Sequence, residues 1–143
     1  MAIGSRSNGG NGDWSGNVRI FQWIESTSSW TQLGADIDGE ASGDWSGYSV
    51  SLSSDGKVVA IGAPSNDGIA STNAGHVRIF QWTESISAWT QVGADIDGES
   101  SDDYSGQSVS LSSDGKIVAI GAHDNDGNGS RSGHVRIYQW NYD

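Results

Sequence analysis

The sequence predicts an all-β fold made by repeating one unit of about 59 residues, and three observations predict it. First, apolar residues alternate with small polar ones in short runs bounded by Gly, Asn, Asp and Ser, the period-two signature of strands. Second, the same landmarks return at a fixed spacing: Val18 and Val77, Trp30 and Trp89, Val50 and Val109 are each 59 residues apart, and Val77 and Val135 are 58 apart. A period of that length is a repeat architecture. Third, an Asp-Gly pair sits between two strand-like runs at Asp55-Gly56 and again at Asp114-Gly115, the strongest short-range hairpin signal. The expected turn is type I′, with positive φ at both central residues. No window holds the apolar spacing of an amphipathic helix for three turns.

Ala2 to Ser5 reads as the remnant of an apolar strand, and Asn8 to Asp13 as a glycine-rich loop. Val18 to Trp23 is the next strand. Trp30 to Ile37 alternates less cleanly and carries Gly34, as an outer or edge strand does. After the loop Asp38 to Asp44 comes the hairpin, with arms Gly47 to Ser53 and Lys57 to Ala63. Its first arm puts Val50 and Leu52 on one face and Ser49, Ser51 and Ser53 on the other, which allows close approach there. The second arm, Val58 to Ala63, is apolar on both faces and is expected to be covered on both sides. Val77 to Trp82 and Trp89 to Ile96 complete a set of four. Four antiparallel strands per repeat make one propeller blade. In this phase the chain is one repeat array of about two and a half blades: a partial blade over 1–44, a complete one over 45–103 and a partial one over 104–143. Met1-Ala2-Ile3-Gly4 copies Val59-Ala60-Ile61-Gly62, so the array opens in mid-strand, as a segment of a longer array would, or an incomplete first repeat behind an initiator Met. Such a piece cannot close the ring of about 4–8 blades that propellers form.

The run Asp44-Trp45-Ser46-Gly47-Tyr48-Ser49-Val50, then Ile61-Gly62-Ala63-Pro64, then Gly75-His76-Val77-Arg78-Ile79-Phe80 resembles the FG-GAP repeat of integrin α-subunit-type propellers. The resemblance covers the whole chain. It implies that the first motif opens the innermost strand, the second closes the next strand and the third opens the one after. Ser46-Gly47 and Ser105-Gly106 stand where the family has Phe-Gly, and the second copy reads Gly121-Ala122-His123. The family often binds calcium between its first two strands, through alternate oxygen ligands. The matching segments, Ser53 to Lys57 and Ser112 to Lys116, carry one carboxylate each beside a lysine, too few for the six to eight oxygens calcium takes.

Eighteen acidic residues against seven basic ones give a formal net charge of −11. That charge argues against nucleic acid as a partner, which requires positive patches. No run approaches the roughly 18 apolar residues of a spanning helix, so membrane insertion is not expected, and the first residues lack a signal-peptide pattern. Cysteine is absent, which removes disulfides, thiolate metal sites and a Cys nucleophile.

The acidic loops supply the metal-ligand candidates: Asp36, Asp38 and Asp44 in a cluster that also holds Glu40, their copies Asp95, Asp97 and Asp103 with Glu99, and Asp124 with Asp126 in a loop of alternating oxygen side chains. The structural reading makes Asp44 and Asp103 caps of local amides and Asp124 to Gly129 a solvated turn. Trp23, Trp30, Trp45, Trp82, Trp89 and Tyr104 recur in register and are the candidates for stacking on a sugar. Blade-interface packing is their ordinary use, and on that reading Trp23 and Trp82 are buried against a neighbouring blade. His76 and His134 occupy equivalent strand starts with a structural role expected. Asn128-Gly129-Ser130 is a glycosylation sequon. No loop breaks the repeat in a chemical direction, so no catalytic residue is expected.

These features predict an extracellular or cell-surface module, non-enzymatic, of structural or adhesion type. It assembles with copies of itself into a ring or filament through its open edges and takes a glycan or protein ligand. A lectin-like carbohydrate-binding propeller is the alternative, and a glycoside hydrolase stands behind both. No cofactor is expected, calcium being the one ion left open.

Overall fold

The computed structural model describes residues 1–68 and 71–141. Its regular structure is all β apart from two single 3-10 turns, and it forms three antiparallel sheets. The first contains β1 (Ala2–Ser5), β2 (Asn17–Ile24) and β3 (Ser29–Gln32), with β4 (Ile37–Asp38) beside β2. The middle sheet runs β5 (Ser49–Leu52), β6 (Val58–Ala63), β7 (His76–Thr83) and β8 (Ala88–Gln91), with β9 (Ile96–Asp97) beside β7. The third contains β10 (Ser108–Leu111), β11 (Ile117–Ala122) and β12 (His134–Gln139). Each sheet is a meander of consecutive strands, stacked face to face as propeller-type blades.

Two apolar layers lie between the three sheets. Val18, Ile20 and Ile37 meet Val59, Ile61 and Phe80 in one, and Val58, Ala60, Val77 and Ile79 meet Val118 and Ile120 in the other. Strand β6 feeds both layers, its alternate side chains going to opposite sheets, and all six residues are buried. The two-sided cover expected for Val58 to Ala63 is present. The serine face of β5 is where the third sheet comes closest: Ser49 Oγ donates to the Gly106 carbonyl (2.7 Å), and Ser51 Oγ accepts from the Leu111 amide (2.9 Å). A Cβ on Gly62 would stand 2.0 Å from the Gly106 carbonyl oxygen, so only glycine permits this approach.

Two expectations are corrected. The hairpin turn is not type I′, because among its residues only Gly56 has positive φ (73°). The loop holds four residues, one more than the expected arms leave between them, and is closed by the Gly56 amide on the Ser53 carbonyl (3.0 Å) and the Ser53 amide on the Val58 carbonyl (2.9 Å). Four-residue loops are usually built around a type I turn with right-handed residues. The strand expected over Trp89 to Ile96 is two pieces, and so is its copy over Trp30 to Ile37. Gly93 and Gly34 adopt φ of 73° and 77°, breaking β8 from β9 and β3 from β4. Both pieces pair with the same neighbour, Trp82 opposite Trp89 and Val77 opposite Ile96.

Candidate functional site

The seams between sheets hold the polar machinery of the molecule. In each, an arginine from the third strand of one blade reaches back to the preceding blade. Arg78 Nη2 donates to the Asp38 carbonyl at 2.7 Å and approaches Ser46 Oγ at 3.5 Å. Arg136 Nη2 does the same with the Asp97 carbonyl (2.6 Å) and Ser105 Oγ (3.2 Å). Ser46 and Ser105 are fully buried. A small side chain at these positions makes room for the guanidinium, a physical reason for serine where the family motif has phenylalanine. The sequence reading did not single out the arginines, although Arg19, Arg78 and Arg136 recur at the repeat spacing.

Asp44 Oδ2 accepts from the Ala41 amide (2.9 Å) and Asp103 Oδ2 from the Ser100 amide (3.0 Å), the capping role the sequence suggested. Asp103 also accepts from Asn125 Nδ2 at 2.8 Å. Asp36 accepts from Asn17 Nδ2 (2.8 Å) and Gln32 Nε2 (2.7 Å). Asp126 Oδ1 caps the Arg131 amide (2.6 Å), and Asp124 lies 3.5 Å from His123 Nε2. The structure brings Asp95 together with Glu40 of the first copy of that acidic cluster and with His76, for which only a structural role was expected. Their ligand atoms lie within 4.8 Å of one another. Glu40, Asp44, Asp67, Asp95 and Asp97 line one pocket at this seam. Asp38 and Asp97 each sit at a strand end, where their backbone carbonyls hold the arginines. The clue to His76 in the sequence was its recurrence as His134, alongside that of Glu40 as Glu99.

The family's calcium segment does not fit the ion. Asp55 Oδ1 accepts from Ser53 Oγ (2.6 Å) and the Lys57 amide (3.0 Å), and Asp114 Oδ1 from Ser112 Oγ (2.6 Å) and the Lys116 amide (3.1 Å). Those hydrogen bonds, the serine hydroxyl first, hold both carboxyls below the usual aspartate range. Glu84 is also held low, first by its hydrogen bond to Lys57.

The aromatic candidates divide by seam. Trp82 is buried, meeting Trp89 edge to face at 5.6 Å, and Trp89 Nε1 donates to the Leu33 carbonyl (2.9 Å). Trp23 meets Trp30 in the same way at 5.5 Å, yet the two are 43% and 52% exposed. The expected burial of Trp23 is therefore corrected: its face of the first sheet is the one that no sheet covers. Trp45 and Tyr104 line a groove of about 510 Å³ with Trp14, Asp13 and Asn73. Trp14 stands 59 residues before Asn73 and so has no aromatic copy, which is why register did not mark it. Asn128 is exposed in the loop before β12.

Three stacked antiparallel sheets with a repeating seam define a propeller-type blade protein. Residues 89–138 match the FG-GAP repeat family model. The matched stretch contains the second copies of all three motifs, so the resemblance read from the sequence is a family match there. No curated protein matches the chain. No helix among the described residues is long and apolar enough to cross a membrane.

Proposed function

We propose that this chain is a non-enzymatic structural and binding module of adhesion type, working at the cell surface or outside the cell, whose FG-GAP blades associate head to tail with those of other copies. One observation carries the reading: the two open faces of the molecule are sequence copies of the two faces of the middle sheet, each of which is buried against a neighbouring sheet. Ile3, Phe21, Trp23 and Trp30 on the first sheet repeat Ile61, Phe80, Trp82 and Trp89 of the middle sheet. Ile117, Val135 and Ile137 on the third repeat Val58, Val77 and Ile79. Each open face thus has the design of a surface that another blade of this kind covers, and the reading assigns that cover to a second copy of the chain. Contact between two different surfaces of identical chains closes into a ring or grows into a filament. Light scattering on the chromatographed chain tests it: assemblies that grow with micromolar concentration are expected, and a stable monomer overturns the reading.

The groove of Trp14, Trp45 and Tyr104 favours a carbohydrate as ligand of the same module. Aromatic faces beside Asp13 and Asn73 combine a stacking surface with acceptors for hydroxyl groups. A glycan array probed with the chain and with Trp14→Ala tests this second reading. Equal, featureless signals from both proteins would remove it.

A further inference from the structure

His76 opens β7 at the seam between the first and middle sheets, and its side chain is only 2% accessible. Nε2 has no hydrogen-bond partner among the described residues. Nδ1 stands 3.8 Å from Glu40 Oε2 and 3.9 Å from Asp95 Oδ2, beyond hydrogen-bonding distance of both. Nδ1 therefore faces two carboxylate oxygens across a gap that no direct bond closes. Each carboxylate is already held by its other oxygen: Glu40 Oε1 lies 3.6 Å from Arg78 Nη1, and Asp95 Oδ1 accepts from Gln91 Nε2 at 2.7 Å. The two oxygens left over both face Nδ1. Outer partners of this kind orient ligating carboxylates around metal ions.

The equivalent place in the first sheet shows what a closed arrangement looks like. There Asn17 replaces the histidine, and its amide donates directly to Asp36 Oδ2 at 2.8 Å while Gln32 holds Oδ1. With histidine in that position the direct bond is lost and a gap remains. We propose that Glu40 Oε2, His76 Nδ1 and Asp95 Oδ2 bind a divalent cation of zinc type, which ties the first sheet to the middle one. With the three atoms within 4.8 Å of one another, a central ion would lie about 2–2.5 Å from each, in the range of bonds from imidazole nitrogen and carboxylate oxygen. Asp44, Asp67 and Asp97 line the same pocket and add negative charge. Arg78 is the nearest opposing charge, and it is engaged by Glu40 Oε1 and the Asp38 carbonyl, away from Oε2. One imidazole with two carboxylates suits zinc, cobalt or nickel, whereas calcium takes six to eight oxygens.

Calorimetric titration of the 143-residue chain with zinc chloride and with calcium chloride tests the site, alongside visible absorption of the cobalt-loaded protein. One zinc per chain is expected, with weaker or undetectable calcium binding and a cobalt spectrum of nitrogen and oxygen ligands. Glu40→Gln and Asp95→Asn should weaken zinc by at least about tenfold, the loss that even an outer partner of a metal ligand causes. His76→Asn, which installs the residue the first sheet uses, should fold and lose the site. Should it fail to fold, the two carboxylate variants carry the test alone. His134→Asn should leave affinity unchanged. Absence of zinc uptake, uptake equally tight in Glu40→Gln and Asp95→Asn, or preference for calcium overturns the proposal.

Discussion

Trp23 and Trp82 hold the same position in successive repeats, yet one is 43% exposed and the other 8%. Side-chain chemistry is identical, so the difference in stability each supplies should come from cover alone. Trp82→Ala is expected to cost about 3–5 kcal/mol by chemical denaturation, as large core truncations do. Trp23→Ala should cost about 1 kcal/mol or less under conditions where the chain is monomeric. At the hairpins, Asp55 and Asp114 titrate below their unfolded value of about 3.8 because Ser53 and Ser112 donate to the ionised carboxylate. A depressed carboxyl contributes stability that is fully present above the unfolded pKa and lost as pH falls through the folded one. Thermal melts of the double variant Asp55→Asn, Asp114→Asn should therefore be less sensitive to pH below about 4 than those of the parent. An unchanged acid limb would mean that other carboxylates carry it. Both aspartates lie at the surface, so the effect is a change of slope rather than a large loss.

Strands β6 and β11 are nearly the same sequence, VVAIGA and IVAIGA, yet β6 is buried throughout while β11 alternates between buried and open residues. The middle strand has a sheet on each side and β11 has one. The glycines at their ends differ accordingly. A methyl group on Gly62 would collide with the Gly106 carbonyl at 2.0 Å, whereas on Gly121 its close contact is the Ser108 hydroxyl, the movable end of a side chain. Gly62→Ala should destabilise by about 2–3 kcal/mol or more, and Gly121→Ala by clearly less, in matched urea titrations. Similar losses for both would show that the seam yields where the geometry says it cannot. The same elements mark what a linear reading misses. Trp89 to Ile96 has strand-like composition along its length, but Gly93 turns left-handed and lets two short strands flank β7 in series. Propensity carries no information about such a break unless the glycine's φ is known.

For the molecule as a whole, the stacking of sheets leaves Trp23 and Trp30 open at one end and Val135 and Ile137 open at the other, the last two 65% and 70% exposed. Isolated apolar side chains on a surface are ordinary, but contiguous patches mark interaction sites. Ile137→Asp places a charge on the third sheet's open face without touching either internal layer. Sedimentation velocity is expected to return that variant as a folded monomer at concentrations where the parent assembles. Assembly unchanged by the substitution would direct attention to strand edges instead of faces.

Repetition made the fold legible in the chain itself. The 59-residue spacing, the serine-only face of β5 and the doubly apolar run of β6 fix strand order, the face of close approach and the burial of the middle strand, because strand periodicity assigns side chains to faces without reference to distant residues. The capping of local amides by Asp44 and Asp103 was equally readable, since donor and acceptor are three residues apart. Tertiary structure alone decided which copies of a repeated residue are covered, and which residues meet across a seam. Trp23 and Trp82 cannot be told apart by sequence. Nothing in the chain order brings Glu40, His76 and Asp95 together, for they stand up to 55 residues apart and converge only when the first sheet stacks on the middle one. Burial and cross-sheet proximity are properties of the stack, and local propensity holds no record of them.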